Sequence, residues 1–410
     1  MPAKVQRKPA SFVPIINPKR GKARMLSRQE PVKKRPSSVP YTRHGAKPPK
    51  VRTVTWAYNF FSILALTALG LAQHMIDNGL VADLADTKCQ ECGYGTYALK
   101  SQKGREPHWR CDCWDCQHRM PLAKDNPIFT YGHGAVSLQK QMVALMCAWA
   151  NIDQTKCEVG FGLSKWVVEG IYKRWYQVAS NYVIDVQSAM KLGTGRTWMD
   201  AEVDEVTIRK KLKKASEPTA QKKPAVQKKP AQMTWPCNFL GILVRGFPKQ
   251  LVLEELPLRE TDVRAPGPGP LTVEHWMPLS ERWCAGRELI VHSDSARAYK
   301  RKIRGCLHDS VVHKKRRVKV GGKWTWMKPI YTKTVKHKLP DSRTTVKVKA
   351  GTQYIDGFWR IMKAFIRPWR KSDAQMLRLL VRTAQLRYWN RGRDMYSVGA
   401  EVVKWHLKNK

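Results

Sequence analysis

Acidic residues are scarce in this chain: 32 Asp and Glu stand against 75 Lys and Arg in 410 residues, a formal charge of +43. An imbalance this large points to a polyanionic partner, with nucleic acid ahead of ribosomal RNA or an anionic membrane surface. Long apolar runs are also missing. Phe60–Ala72 is apolar for 13 residues, whereas a membrane-spanning helix needs about 20; a buried helix is expected there, and no membrane partner. The first fifty residues have no apolar segment of the kind a secretory signal carries. A disulfide framework is lacking too, because five of the ten Cys crowd into residues 89–116. Such crowding in a long chain reads as metal binding in a reducing compartment. What is present is enough for a core: 16 Trp and 42% apolar residues exclude a wholly disordered basic chain.

Residues 1–50 are basic and Pro-rich and are expected to be a disordered tail. Within them Pro31–Pro36, reading PVKKRP, fits a nuclear import signal if the source is eukaryotic. Otherwise the expected place is the cytoplasm, on DNA. Residues 51–86 are read as N-terminal helices. Residues 87–130 hold Cys89-x2-Cys92 and then Cys111-x-Cys113-x2-Cys116. Two CxxC knuckles aim four thiolates at one tetrahedral zinc, so Cys89, Cys92, Cys113 and Cys116 are the expected ligands, with Cys111 as a substitute for Cys113. The linking segment suits the hairpin of a zinc ribbon, and four thiolates leave no open position for catalysis, so this zinc is structural. Residues 131–192 are expected to be helical. A turn at Gly160–Ser164 leads to a helix from Lys165 to about Ser180 with Ser164 as N-cap. Lys165, Lys173 and Arg174 on it resemble the DNA-binding face of a helix-turn-helix. The other reading is a basic amphipathic helix packed by Trp166, Ile171 and Trp175.

Residues 193–370 carry the placed acids. The strand RTWMDAEVDEVTIR at 196–209 puts Asp200, Glu202 and Asp204 on one face by its period of two. Carboxylates that close repel unless a cation sits between them. Strands are expected at 234–245 and 250–256, a helix at 271–284, a strand at 288–292, a helix at 295–303 and a last strand at 310–313. Asp294 follows the fourth strand directly. Residues 209–232 and 314–350 are read as basic inserts. Tyr354–Ile366 forms an amphipathic helix whose Asp356 and Lys363 share a face, and 371–410 is a basic helical tail. Strand, strand, strand, helix, strand, helix, strand, helix is the element order of a ribonuclease H-like α/β domain, here preceded by a helical region with a zinc ribbon. Three carboxylates on such a frame could hold two divalent cations, Mg²⁺ or Mn²⁺, for phosphodiester chemistry.

This order, with CQECG and CWDC in the ribbon, EVDE at 202–205, HSDSARAY at 292–299 and TQYIDGFWRIMK at 352–363, resembles the DDE transposases of zinc-ribbon insertion sequences, the ISXO-like group, and their eukaryotic Merlin-type relatives. The resemblance covers roughly residues 55–390. It implies metal-dependent cleavage and strand transfer on double-stranded DNA by a homo-oligomer, with Asp204, Asp294 and Asp356 as metal ligands and Lys363 beside the scissile phosphate. Position 356 is Asp where the family usually has Glu, so its carboxylate reaches about one methylene less. The alternative is a domesticated, non-catalytic DNA-binding protein derived from such a transposase.

Overall fold

A computed structural model describes residues 41–42, 56–102, 104–132, 134–213, 232–265, 267, 269–313, 315–340 and 344–409. The expected disordered tail, apart from residues 41–42, and the Lys/Pro insert between 213 and 232 lie outside the described residues. The rest is a mixed α/β structure built on a mixed seven-stranded sheet. The apolar run at 60–72 is divided between two helices, α1 (Phe60–Leu64) and α2 (Ala68–Asp77). The Asn59 side chain accepts from the Ser62 amide at 2.9 Å and Thr67 from the Gly70 amide at 3.1 Å, so each starts on its own cap. Among the described residues no helix is long and apolar enough to cross a membrane. A three-stranded antiparallel sheet follows, β2 (Tyr97–Lys100), β3 (His108–Cys111) and β4 (Arg119–Pro121), after β1 (Tyr41–Thr42). Three helices come next: α3 (Leu138–Ala150), α4 (Gln154–Phe161) and α5 (Lys165–Ser188), the last two turns longer than its sequence pattern predicts.

The main sheet is formed by β5 (Trp198–Lys213), β6 (Gln232–Val244), β7 (Leu251–Leu256), β8 (Arg259–Asp262), β9 (Leu289–Ser293) and β10 (Cys306–Ser310), with β1 alongside β5. Its spatial order is β10-β9-β5-β6-β7, with β5, β6 and β7 antiparallel and β9 and β10 parallel to β5. Pro236 lies where the β5–β6 register shifts around Arg209, the kind of position in a sheet that tolerates a missing N–H. The helix α6 (Val273–Trp283) covers one face through Trp276 and Trp283, packed on Met199, Ala201 and Val203. Two expectations shift here. Residues 295–303 hold only a 3-10 turn at Ala298–Lys300, because the Asp294 carboxylate takes the Ala296 amide at 2.8 Å and Tyr299 is drawn into the core. The last strand is Cys306–Ser310, set by its pairing with Leu289–Ser293, and not 310–313.

Within 315–350 the described strands form two antiparallel hairpins: β11 (Arg316–Val320) with β12 (Lys323–Met327), and β13 (Lys333–Lys338) with β14 (Thr345–Ala350). The second is part of the fold, since Val346 and Val348 alternate inward and pack on Trp198 and Ile290. The other face of the sheet carries α7 (Gln353–Ile366) and α8 (Ala374–Trp389), and α9 (Met395–Lys408) packs on α3 and α5. Residues 371–410 are therefore not a peripheral tail: Leu377, Leu380, Val402 and Val403 are in one continuous core with α3, α5 and the sheet. The edge of β7 is also covered. The Gln187 amide exchanges hydrogen bonds with the Leu253 backbone at 3.0 Å in both directions, and Gln385 and Trp389 donate to Leu251 at 3.0 and 2.8 Å. Side chains thus use the groups that would otherwise recruit a further strand.

A buried ion pair locks α7 to the sheet. Glu202 is fully buried and its Oε1 accepts from Arg245 Nε at 2.7 Å. Its Oε2 accepts from the Tyr354 and Ile355 amides at 2.7 and 2.9 Å, so a strand residue caps the first turn of the helix. Arg245 also donates to Lys349 and Gly351 carbonyls at 2.6 and 2.8 Å. Arg245→Ala leaves a buried carboxylate uncompensated and should cost about 3–5 kcal/mol. Urea unfolding of the full chain measures this; a change under about 1 kcal/mol would show that the pair is dispensable.

Candidate functional site

The cysteine cluster forms on the three-stranded sheet. Cys89, Cys92, Cys111 and Cys116 bring their sulfurs within 4.8 Å of one another, among the described residues the one such group of His, Cys, Asp or Glu ligand atoms. Cys89 and Cys116 sulfurs are 3.8 Å apart and those of Cys92 and Cys111 are 3.7 Å apart. A tetrahedron with Zn–S bonds of about 2.3 Å requires sulfurs about 3.8 Å apart, so the donor set fits zinc. Backbone geometry supports it. Gly93 turns the first knuckle at φ 70°, and any Cβ on Gly95 would lie 2.5 Å from the Cys111 sulfur. The Cys89 thiol is drawn down to about 6, since burial is outweighed by hydrogen bonds from the Tyr97 hydroxyl and the Cys92 and Glu91 amides.

Here the expected set is corrected to its stated substitute: the fourth sulfur of the cluster is that of Cys111, and Cys113 is outside it. On β3 the inward positions are Trp109 and Cys111, and Cys111 pairs with Tyr97. Cys113 is already in the turn beyond the strand, where its carbonyl accepts from Cys116 and Gln117. Asp112 holds that turn by accepting from the Thr96 amide and hydroxyl at 2.6 and 3.0 Å. The regular CxxC spacing at 113–116 suggested the wrong pair; strand alternation from Trp109 carries the signal for the right one.

The acids of β5 divide their roles. Asp200 accepts from Tyr41 at 2.9 Å and faces His292 at 3.0 Å, and His292 continues to Asp309 at 2.7 Å. Both ring nitrogens of this buried histidine meet carboxylates; burial works against its charge, but these hydrogen bonds outweigh it and raise its pKa. Asp309 also meets His337 at 2.8 Å. Asp200 and Glu202 are thus held in structural pairs, and Asp204 alone of the three opens into a cleft. Asp204 lies opposite Gly241 on β6. Because that position lacks a Cβ, the Trp359 ring lies against the sheet, where an added Cβ would be 2.8 Å from it. Trp359 then donates to Asp204 at 3.1 Å.

A cavity of about 390 Å³ is lined by Asp204, Glu205, Asp356, Trp359, Arg360 and Lys363. Asp356, in the first turn of α7, accepts from Thr352 at 3.2 Å. Glu202 pairs with His292 across β5 and β9, so Asp204 and Asp294, each two residues on, lie level at the end of β9. Asp294 opens into an adjoining cavity of about 730 Å³ that shares Glu205, Val206 and Thr207 with the first. Burial first, then the charges of Glu205, Asp356 and Asp294, push Asp204 up to about 8. Glu205 is raised too, by burial and by Asp294. Electrostatically the four acids form one site, although their oxygens do not close to within 4.8 Å of one another as the sulfurs do. Carboxylate oxygens are hard donors, the kind that Mg²⁺ and Mn²⁺ take. Missed in the sequence were Glu205, which directly follows Asp204, and Arg360, one turn from Asp356 on the same helix face. Arg367 and Arg370 extend the basic wall beyond Lys363 into a third cavity of about 210 Å³.

On the helical pair, α4 ends at Gly162 with φ 60° and α5 begins after Ser164. Lys165 and Lys173 are exposed, and Lys165 reaches Glu169 at 3.7 Å. Arg174 is not on the outer face: its Nε donates to the Ile128 carbonyl at 2.8 Å, and burial lowers its pKa. Ile171 and Trp175 pack inward as expected, but Trp166 is 80% exposed. Ser164 sits at the N-cap position without a side-chain cap bond. No family model, curated protein or solved structure matches the chain.

Two outcomes follow. Purified Cys111→Ser should lose its zinc, measured by elemental analysis, whereas Cys113→Ser should retain one equivalent; the reverse would restore the CxxC pair. The raised carboxyl of Asp204 means that the folded chain binds more protons than the unfolded chain between their two pKa values, about 4 and about 8. In chelator, the melting temperature should therefore fall as pH rises through that window. Asp204→Asn should flatten the slope, and Mn²⁺ should reverse it for the wild type.

Proposed function

We propose that the chain is a metal-dependent DNA strand-cleaving and strand-transferring protein of the DDE type, with a ribonuclease H-like catalytic domain. The observation that carries this reading is Asp204 on β5 level with Asp294 just beyond the parallel strand β9, with Asp356 and Lys363 of α7 beside Asp204 in one cavity and Asp294 in the cavity adjoining it. The strand order β7-β6-β5-β9-β10, antiparallel for three strands and then parallel, supports the ribonuclease H-like assignment. So does the agreement between four separated motifs and a zinc-fitting ribbon upstream.

In this reading each side chain has a defined task. Asp204, Asp294 and Asp356 concentrate negative charge in a cleft of an otherwise cationic chain. Divalent cations, when bound there, supply Lewis-acid stabilisation of attacking and leaving oxygens. Trp359 fixes the Asp204 carboxylate through its indole N–H. The Glu202–Arg245 lock holds the first turn of α7, and with it Asp356, in register with β5. Lys363, Arg360, Arg367 and Arg370 offer phosphates a basic wall beside the acids. The ribbon and the exposed Lys165 and Lys173 face are assigned to duplex binding. Zinc has a structural role.

The alternative, a DNA-binding derivative without catalysis, takes its support from Asp356, whose shorter side chain is exposed at the rim of the cleft. A nicking assay on supercoiled and terminal-repeat DNA with Mg²⁺ or Mn²⁺ separates the two. Cleavage should occur, should stop in chelator, and should fall at least about 10²-fold in Asp204→Asn and Asp294→Asn, with DNA affinity kept or increased. Asp356→Glu should change the rate, whereas binding without any cleavage by wild type and Asp356→Glu alike would leave the non-catalytic reading.

A further inference from the structure

The first of the two hairpins in 314–350 is unlike the second. All five residues of β12 are exposed, whereas β14 alternates exposed with buried. Apolar side chains on a ribbon this open gain nothing from the core, yet Trp324 and Trp326 are 60% and 64% exposed. Being two apart on one strand, they share a face. Register adds their cross-strand neighbours to it: Lys319 opposite Trp324 and Arg317 opposite Trp326. The Arg317 guanidinium is also 5.5 Å from the Trp324 ring centre. Every charged residue from 314 to 328 is Lys or Arg. The result is a face of two parallel-spaced indoles bordered by cations.

The base of the hairpin is fixed beside the acidic cleft. The Ile330 amide donates to Val312 at 2.9 Å, closing its stem. Tyr331 carbonyl then accepts from Gln353 at 2.6 Å, in the first turn of α7 and three residues before Asp356. Gly351, at φ 140°, lets the chain pass this carbonyl, which would be 2.5 Å from a Cβ. A hydrogen-bonded stem carrying an open aromatic face beside the first turn of α7 is a platform.

We propose that the β11–β12 hairpin binds unpaired nucleotides of a DNA strand, with bases stacked on Trp324 and Trp326 and phosphates on Arg317 and Lys319. Positive charge alone would serve a duplex equally well, because phosphate contacts do not distinguish the two forms. The indoles make the difference: only unstacked bases offer π-faces to them, and stacking on aromatic side chains tolerates any sequence. The proposal shares a DNA partner with the function argued above but does not depend on the chemistry of the cleft.

The test uses the full chain in chelator, with a fluorescent 20-nucleotide oligothymidine and a duplex of equal length, read by anisotropy over a salt series. Trp324→Ala/Trp326→Ala should weaken single-strand binding by about tenfold or more, with duplex binding and the salt slope nearly unchanged. Trp324→Phe/Trp326→Phe, which keeps an aromatic ring, should recover most of the loss. No cleavage is read in chelator, so failure of the catalytic reading is scored separately, by the nicking assay. Equal losses on single strand and duplex, no loss on either, or no recovery with Phe would overturn the proposal.

Discussion

A fully buried glutamate governs how this molecule is assembled. Removing Glu202 from water is unfavourable, and burial alone pushes its pKa upward. The position is tolerated because its two oxygens have three partners: Arg245 on one and the first two free amides of α7 on the other. Those partners come from the residue that follows β6 and from α7, so satisfying one charge joins segments about 150 residues apart in sequence. Arg245 then binds the carbonyls that precede α7, which closes the approach to the helix. The pair is less a source of net stability than a specification of register, since only one placement of α7 satisfies all the groups.

Much of the sheet was legible from local pattern. The strand at 196–209, its two antiparallel successors and the short apolar strand before Asp294 are visible from alternation and from turn residues. The amphipathic helix at 353–366 was equally visible. What local pattern could not supply was tertiary use. Residues 371–410 read as a basic tail because Arg and Lys are frequent there; in the fold, Arg382 and Arg387 point inward to carbonyls at 2.9 and 2.5 Å. Their stems help to fill the core, which a charge count does not reveal. The hairpin β13–β14 was likewise hidden in a Lys-rich stretch, although Val346 and Val348 already alternate within it.

At the site, residue identities were easier to read than their division of labour. Three alternating acids on β5 are equivalent by period, but only Asp204 faces the cleft. The others are separated from it by partners that no spacing rule predicts: Arg245 at the end of β6, and His292 two residues before Asp294. Cys111 and Cys113 present the same problem in miniature, since a motif counts residues whereas a strand counts faces. Gly241 marks a third limit. Its importance lies in what is absent from it, and only the approach of the Trp359 ring makes that visible.

The distribution of charge connects these parts. A chain with so large an excess of Lys and Arg would ordinarily spread its few acids as surface ion pairs of little value. Here several are instead grouped in a recess, and burial first, then the neighbouring charges, raise the pKa of Asp204. Folding preserves it through Trp359 and the Glu202 lock, both of which hold acids in place without neutralising them. A concentrated negative cleft is bounded by Arg360, Lys363, Arg367 and Arg370, and the proposed function uses the two as adjacent sites for different ligands. In that proposal divalent cations take the place between the carboxylates, and a phosphate backbone lies along the basic wall beside them. Neither ligand would suit the other's position. That complementarity is the physical basis on which the proposed strand-transfer function rests, and it holds whether or not Asp356 completes the site.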